Sequence, residues 1–143
     1  PYTIANLLSG KNIELYGDGK HIRHWLHVED TCLAILDVVN NGKDNSIYNI
    51  GSGQYFNNVE IANKILEALE LDISRITFVE DRPGHDFRYA VDFDKLKNIG
   101  YVPQKNLDDE IFAIVEWYKE NKSWWEQDYL QVLKNRLKRT KLN

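Results

Sequence analysis

Apolar and polar positions along this chain form short blocks that predict strands and helices in turn. Strands are predicted at residues 13–16, 25–28, 47–50 and 76–79, where apolar side chains alternate with polar ones or run together between turn residues. Helices are predicted at residues 4–8, 30–41, 58–69, 107–118 and 123–137, where apolar side chains recur at helical spacing. Strands that alternate with helices indicate an α/β fold, and we expect a small mixed sheet with several helices.

The helix predicted at residues 30–41 differs from the others because its apolar residues leave almost no polar face. A helix of this kind is usually buried on more than one side. Asp30 is expected to cap its first turn, and Gly42 is expected to end it in the left-handed conformation. We therefore expect residues from about 25 to 50 to pack against a domain outside this chain.

Capping signals mark the start of two further helices. Asn58 or a neighbour is expected to cap the helix at 58–69, and Ser123 with Glu126 predicts a capping box for a terminal helix within residues 123–143. That segment ends in a basic tail, formed by Lys134, Arg136, Lys138, Arg139 and Lys141. The tail is typical of a solvated helix end with cations near its negative pole. A tail that binds nucleic acid or a membrane is the alternative.

The composition limits which kinds of partner the chain is expected to bind and in which compartment it is expected to reside. The formal net charge of −4 argues against nucleic acid as the main partner, since binding to phosphates needs a basic surface. No apolar run approaches the roughly 20 residues that span a bilayer, and no signal-peptide pattern is present. Cys32 is the only cysteine, which rules out an intrachain disulfide and favours the reducing cytoplasm. We expect one cytoplasmic domain that binds neither nucleic acid nor membranes.

Arginines near glycine and proline are the strongest candidates for ligand binding. Arg82 and Arg88 flank a segment that contains Pro83 and Gly84, and Arg23 follows a glycine-rich turn. The planar guanidinium group matches phosphate oxygens, and glycine lets the backbone approach a ligand closely. An exposed Tyr16 could stack on a nucleobase. A surface network in which these arginines pair with Glu80, Asp81 and Asp86 remains the alternative.

The residues give little support to metal binding, to a nucleophile or to a dinucleotide loop. His21, His24 and His27 recur at every third position, but in an extended chain His24 points away from the other two, and we predict no metal site. Cys32 lies in the most apolar helix and is expected to be an inert thiol. The run Gly51-Ser52-Gly53 lacks the third glycine of a dinucleotide-binding loop, because Phe56 stands there.

Several segments together resemble a known family. Residues 15–19, 22–30 and 48–51 are similar to the second half of extended short-chain dehydrogenases/reductases, a superfamily that includes many nucleotide-sugar epimerases and dehydratases. Residues 81–90, with the sequence DRPGHDFRYA, and the stretch 100–103 resemble the dTDP-glucose 4,6-dehydratase family more specifically. The resemblance implies the carboxy-terminal, nucleotide-sugar-binding part of such an enzyme, over residues 1–117.

The resemblance also implies which residues bind the substrate. They are Leu15, Tyr16, Arg23, Asn58, Asp81, Arg82, Pro83, Gly84 and His85, with Arg88 as a further possibility. Tyr16 and its strand would lie against the nucleotide, and Arg23 and Arg82 would bind the diphosphate. The sequence departs from the family at Glu14, His24, His27 and Phe87. Glu14 stands for a common proline and adds a negative charge near the base, whereas His24 stands for a common aspartate.

The family converts dTDP-glucose to dTDP-4-keto-6-deoxyglucose. In the intact family NAD takes a hydride from sugar C4, water leaves across C5 and C6, and the hydride returns to C6. The resemblance places the NAD-binding loop, the Tyr-x-x-x-Lys pair and the acidic pair in the amino-terminal Rossmann half, which we expect to lie outside this chain. We therefore assign no catalytic, cofactor-binding or metal residue here and expect the chain alone to be inactive. The intact enzyme is expected to be a homodimer.

Other functions remain open at the level of sequence. The first is another nucleotide-sugar enzyme, such as a UDP-sugar dehydratase or decarboxylase. The second is a non-catalytic interaction module that kept the sugar-binding loops. The third is a nucleic-acid-binding protein that uses the basic tail at residues 134–141.

Overall fold

The computed structural model describes the backbone of residues 1–140 and the side chains of residues 1–135. The elements in chain order are α1 (Tyr2–Leu8), β1 (Ile13–Tyr16), β2 (Ile22–Trp25), α2 (Val28–Asn41), β3 (Gln54–Asn57), α3 (Asn58–Ala68), a 3₁₀ turn (Ile73–Arg75), β4 (Ile76–Val79), α4 (Asp94–Lys97), α5 (Leu107–Glu120) and α6 (Lys122–Thr140). The mixture of helices and short strands confirms the predicted α/β class.

The first strand pair is parallel and follows the sequence pattern closely. In β1, Ile13 and Leu15 are buried whereas Glu14 and Tyr16 are exposed, as the alternation of side chains in a strand requires. Strand β4 pairs with β1 in parallel, with Ile13 opposite Ile76 and Tyr16 opposite Val79. Both strands therefore end at the same edge. The predicted turn follows β1, with Gly17 and Gly19 at φ values of 58° and 73°.

The second strand pair is antiparallel, and its position was only partly predicted. Strand β2 covers Ile22–Trp25, so the strand predicted at 25–28 lies three residues earlier. It pairs with β3, which the sequence did not predict, with Arg23 opposite Phe56. The strand predicted at 47–50 was wrong, because no other described strand lies beside that segment to complete its hydrogen bonds, and Ile47 is 85% exposed.

The main core lies where α1, α3 and α5 pack around β1. Its buried residues are Ile4, Leu7, Ile13, Leu15, Ile61, Ala62, Ile65, Leu66, Ile111 and Val115. The face predicted for α3 is confirmed, since Ile61 and Ile65 are buried and Leu69 packs against them. A capping box formed by Asn57 and Glu60 begins this helix, and Asn58 is its first residue. A smaller cluster joins Ala34, Phe93, Leu96 and Tyr101.

The start of α2 differs from the prediction in a way that matters for the fold. His27, not Asp30, caps the helix, and its side chain accepts the backbone N–H of Glu29. Asp30 is fully buried and accepts the backbone N–H groups of Gln104 and Lys105 at 2.8 and 3.1 Å. The helix ends at Gly42 with an extended backbone rather than a left-handed one. The acidic side chain therefore joins two distant segments instead of capping one helix.

Most of the apolar surface of α2 lies open to solvent. Exposed fractions reach 68% for Val28, 56% for Leu36 and 74% for Val39. Only Ala34 and Asp30 of this helix are buried, so the described part of the chain leaves uncovered a surface that the sequence predicts to be buried. No described helix is both long enough and apolar enough to cross a bilayer.

Helix α6 begins at Lys122, so Ser123 lies inside the helix and the predicted capping box was wrong. Trp125 and Tyr129 attach the helix to α1 through a cluster with Ala5. The Tyr129 hydroxyl donates a hydrogen bond to Asn6 Oδ1 at 2.9 Å. The side chains predicted to form the basic tail beyond Lys134 lie outside the described residues.

Candidate functional site

The carboxyl ends of β1 and β4 form the edge at which the candidate ligand-binding residues gather. Tyr16 ends β1, and the loop 80–90 follows directly after β4. The loop is attached to β2 by two backbone hydrogen bonds, from Ile22 N–H to the Phe87 carbonyl at 2.8 Å and from Tyr89 N–H to the Ile22 carbonyl at 3.1 Å. Ligands in α/β proteins commonly bind beyond the carboxyl ends of parallel strands.

Two histidines share the carboxylate of Asp81 at this edge. His21 Nε2 lies 3.0 Å from Asp81 Oδ2, and His85 Nδ1 lies 2.7 Å from Asp81 Oδ1. The two imidazole rings stack, with their centroids 3.8 Å apart. The hydrogen bond from His85 is the main cause that lowers the pKa of Asp81, and the backbone N–H of Arg82 contributes in the same direction. Asp81 therefore acts as a charged acceptor at the centre of the cluster.

Arg23 holds the loop in place through acceptors on the protein. Its Nη1 donates to the Ile22 carbonyl at 2.7 Å, and its Nη2 donates to the Asp86 carbonyl at 3.0 Å. The same Nη2 lies 2.9 Å from His85 Nε2, and the guanidinium group lies 4.7 Å from the centre of the Tyr89 ring. Arg23 therefore lies beside the loop 80–90, and the terminal donors of its side chain contact the protein itself.

The other two arginines present more accessible side chains. Arg82 is exposed, and its backbone N–H bonds to Asp81 Oδ1 at 2.9 Å. Arg88 lies over the ring of Tyr55 at 5.2 Å, on the His24 face of the β2–β3 pair. In the described part of the chain neither these two arginines nor Arg23 forms an ion pair with a carboxylate. The alternative surface network is therefore not formed.

The remaining predicted site residues fall into two groups. Pro83 and Gly84 are exposed at the tip of the loop, where Gly84 has a φ of 68° and nothing within 4 Å of the position of a Cβ. Asn58 donates its backbone N–H to the His21 carbonyl at 3.2 Å, which places it beside the cluster. Leu15 is buried in the core, so its side chain faces away from this edge.

The exposed face of β1 continues the edge in the other direction. Glu14 and Tyr16 line a cavity of about 60 Å³ together with Thr3 and Asn6 of α1. Tyr16 is 43% exposed and meets the ring of His85 edge-on at 5.8 Å. An accessible aromatic ring beside a cluster that carries cationic and N–H donors suits a ligand with both a flat ring and an anionic group.

A metal ion is not supported by the hydrogen bonds of the cluster, although the donor types alone would allow one. The candidate ligand atoms of His21, Asp81 and His85 lie within 4.8 Å of one another. Arg23 always donates, so His85 Nε2 must accept, and the ring proton then lies on Nδ1. Nδ1 is the atom that faces Asp81 and that would have to bind the ion.

The Tyr-x-x-x-Lys spacing also occurs in this chain, at Tyr16–Lys20, Tyr101–Lys105 and Tyr118–Lys122. A tyrosine that acts as a base near neutral pH needs a lowered pKa. Burial, with a smaller effect of Asp30, raises the pKa of Tyr101 to about 12. Burial also raises the pKa of Tyr118, and Lys20 forms an ion pair with Asp18 at 3.1 Å. Tyr101 and Tyr118 therefore do not fit the role of a catalytic base.

The sequence did not identify the roles of His21 and His24. His21 was considered only as a metal ligand, yet it is 5% exposed and lies at the centre of the cluster. His24 Nε2 accepts the backbone N–H groups of Ser52 and Gly53, both at 2.9 Å, and its ring stacks on Tyr55. Neither role has a local signal, because each depends on partners at least 28 residues away in the chain.

Comparisons with known proteins agree on one family. The NAD dependent epimerase/dehydratase family matches residues 1–51. A dTDP-glucose 4,6-dehydratase of Actinoplanes sp. is 41% identical over 87% of this chain and 39% of its own length. The chain therefore spans about two fifths of that relative.

Solved structures give the same result for the fold. DesIV, a dTDP-glucose 4,6-dehydratase from Streptomyces venezuelae solved with NAD bound, aligns with a TM-score of 0.84 and 41% identity over 89% of this chain and 40% of its own. A UDP-glucose 4-epimerase from Thermotoga maritima aligns with a TM-score of 0.74 and 24% identity over 83% of this chain and 38% of its own, which shows a shared fold alone.

Proposed function

We propose that this chain forms the nucleotide-sugar-binding part of a dTDP-glucose 4,6-dehydratase, which is a lyase. The chain belongs to that family and matches its carboxy-terminal part. The proposal rests on one observation. At the carboxyl edge of the β1–β4 pair four residues lie close together, namely Tyr16, Arg23, Asp81 and His85. The intact enzyme would convert dTDP-glucose to dTDP-4-keto-6-deoxyglucose.

The arrangement supports separate positions along this edge for the base and for the diphosphate of the substrate. The thymine base would lie on Tyr16, near the backbone of Leu15 and beside Glu14. The diphosphate would lie over the loop tip, where the exposed Arg82 supplies charge and Gly84 leaves room for close approach. Arg23, Asp81 and His85 would hold the loop in the binding conformation, and Asn58 would lie beside them. Pro83 would fix the path of the tip, and Arg88 remains a possible further contact.

The residues of this chain do not fit the NAD-binding role. A dinucleotide loop of the G-x-G-x-x-G type needs a third glycine at position 22 or 56, where Ile22 and Phe56 stand. Burial raises the pKa of Tyr101 and of Tyr118, so neither fits the role of the catalytic base. We therefore propose that NAD is bound by the remainder of the intact enzyme, and that these 143 residues alone do not turn over substrate.

The uncovered surface of α2 is where we expect the rest of the intact enzyme to pack. Residues from about 25 to 50 would pack against the NAD-binding domain, which would cover Leu36 and Val39 and supply a strand beside the unpaired segment 47–50. Single apolar side chains are common on protein surfaces, but a contiguous set on one helix indicates an interface.

We further propose that the intact enzyme is a cytoplasmic homodimer that needs neither nucleic acid nor a membrane. A single cysteine, Cys32, is compatible with a reducing compartment. Sedimentation of the intact enzyme would test the dimer, and a monomer at micromolar concentration would contradict it.

Calorimetric titration of the intact enzyme with dTDP and UDP tests the assignment of substrate class. We expect dTDP to bind more tightly, and a preference for UDP would favour a UDP-sugar dehydratase or decarboxylase instead. Arg82→Gln should weaken the binding of dTDP, whereas Arg75→Gln, at an arginine whose side chain donates to the Lys11 carbonyl far from the loop, should not. Equal losses in both variants would contradict the proposed site.

A second experiment tests activity and the non-catalytic alternative. We expect the 143-residue chain with NAD and dTDP-glucose to give no 4-keto product at an enzyme-like rate. The gene sequence upstream of the codon for Pro1 should encode a Rossmann half in frame. Product formed by the chain alone would overturn the first expectation, and an unrelated upstream sequence would favour an interaction module.

A further inference from the structure

His21 and His85 are the two enclosed polar side chains of the cluster around Asp81. The side chain of His21 is 7% exposed, its ring stacks on His85, and Phe87 contacts it from another side with ring centroids 5.9 Å apart. Its Nε2 faces Asp81, whereas its Nδ1 is buried without a hydrogen-bond partner among the described residues. A buried histidine with one bonded nitrogen has an orientation fixed by that single bond and by stacking.

The contacts of Asp81 determine where the ring protons lie. Asp81 Oδ1 receives the Arg82 backbone N–H and faces His85 Nδ1, while Oδ2 faces His21 Nε2. A carboxylate accepts only, so the imidazole nitrogen that faces it carries a proton in both histidines, although only His85 forms a hydrogen bond with it. His85 is then the Nδ1–H tautomer, and its Nε2 carries the lone pair that accepts from Arg23 at 2.9 Å.

These contacts form one continuous chain of donors and acceptors. His21 Nε2 lies in close polar contact with Asp81 Oδ2 at 3.0 Å, Asp81 accepts from His85 through the opposite oxygen, and His85 accepts from Arg23. Hydrogen bonds to a charged carboxylate are the stronger class, and the two imidazole rings of this chain are enclosed although Asp81 itself is partly open to solvent. Rotation of the Asp81 carboxylate would break both imidazole contacts at once.

We propose that His21 is a positioning residue for the diphosphate end of the site, acting on Arg23 through Asp81 and His85. The inference rests on the proposed function only for the identity of the ligand. His21 itself does not touch the ligand. The electrostatic contact of its Nε2 with Oδ2 and the stacking of its ring on His85 limit the rotation of the Asp81 carboxylate, which keeps the proton of His85 on Nδ1 and the guanidinium group of Arg23 beside the loop.

Two substitutions separate the donor of His21 from its packing. His21→Phe keeps an aromatic ring that can stack on His85 but removes the N–H donor. His21→Gln keeps an N–H donor for Asp81 but removes the ring. We expect His21→Phe to weaken the binding of dTDP to the intact enzyme by about tenfold, and His21→Gln to stay within about threefold of the original protein. A purely structural role would give the opposite order.

The tautomers of the histidines supply a readout that needs no ligand. Nitrogen-15 NMR of the imidazole rings in the unsubstituted protein should show His85 protonated on Nδ1 and His21 protonated on Nε2. In His21→Phe the His85 ring should exchange between tautomers, and the Arg23 Nη protons should lose their protection from solvent exchange.

The outcomes distinguish this inference from the proposed function. If the unsubstituted enzyme does not bind dTDP but the tautomers are as stated, the proposed ligand is wrong and the positioning chain stands. If His85 carries its proton on Nε2 in the unsubstituted protein, the inference is overturned whether or not dTDP binds. If His21→Phe does not fold, the tautomer of His85 in the unsubstituted protein still tests the inference.

Discussion

Asp30 joins α2 to the segment that precedes α5, because its Oδ1 accepts the backbone N–H of Gln104 at 2.8 Å. Its second oxygen accepts the backbone N–H of Lys105 at 3.1 Å, and the side chain is fully buried. A buried carboxylate with two backbone donors stabilises the connection between segments more than 70 residues apart in the chain.

We predict that Asp30→Ala lowers the free energy of unfolding by about 3 kcal/mol, since two charge-assisted hydrogen bonds are lost. Asp30→Asn keeps one acceptor oxygen and should lose about half as much. Urea denaturation of the 143-residue protein measures both changes. Asp128→Ala, at an exposed carboxylate on α6, should change the free energy of unfolding by less than about 0.5 kcal/mol. Equal effects at the two positions would contradict the role of Asp30.

His24 should make stability depend on pH. Burial lowers the pKa of His24 from 6.5, and its Nε2 must be unprotonated to accept the Ser52 and Gly53 N–H groups. The unfolded chain therefore binds the proton more readily than the folded one. The contribution of His24 is fully present above the unfolded pKa of 6.5 and is lost as the pH falls through the lower folded value.

His24→Gln provides the test of this pH dependence. Glutamine keeps an oxygen acceptor but does not titrate. Between about pH 8 and pH 5 the free energy of unfolding should fall less steeply in the variant than in the original protein, with the other histidines common to both. Parallel profiles in denaturant titrations would show that His24 does not control stability in this range.

Tyr16 should contribute its ring, not its hydroxyl, to binding of the base. Stacking of a base on an aromatic side chain contributes about 1–3 kcal/mol. We therefore expect Tyr16→Ala to weaken the binding of dTDP to the intact enzyme by about tenfold or more, and Tyr16→Phe to leave it within about twofold. Calorimetric titration gives both values, and equal losses in the two variants would indicate a hydroxyl contact instead.

Val39 lies on the surface of α2 that is proposed to meet the NAD-binding domain. It is 74% exposed, so Val39→Glu should change the stability of the 143-residue chain by less than about 0.5 kcal/mol. In the intact enzyme the same change would bury a charge at the interface and should lower the melting temperature clearly. Val132→Glu, at an exposed valine of α6 outside residues 25–50, is the matched control. A stable intact Val39→Glu enzyme would place the interface elsewhere.

The sequence by itself determined the elements that depend on local pattern and the identity of the family. The apolar alternation of 13–16, the mainly apolar run of 76–79, the glycine turn after Tyr16 and the helical faces of α3 and α5 all follow from neighbours within a few residues. The motif at residues 81–90 indicated the family, because its arginines, proline and glycine occur together in one short run.

Only the tertiary structure decided which of these residues act together. The segment 47–50 has the composition of a strand but no described strand beside it, and strands need neighbours to complete their hydrogen bonds. Asp30 matched a helix cap locally, yet burial brought it to the backbone of Gln104. His21 and Arg23 owe their roles to Asp81 and His85, about 60 residues away. Contacts between distant segments depend on how the chain packs, and local periodicity carries no information about them.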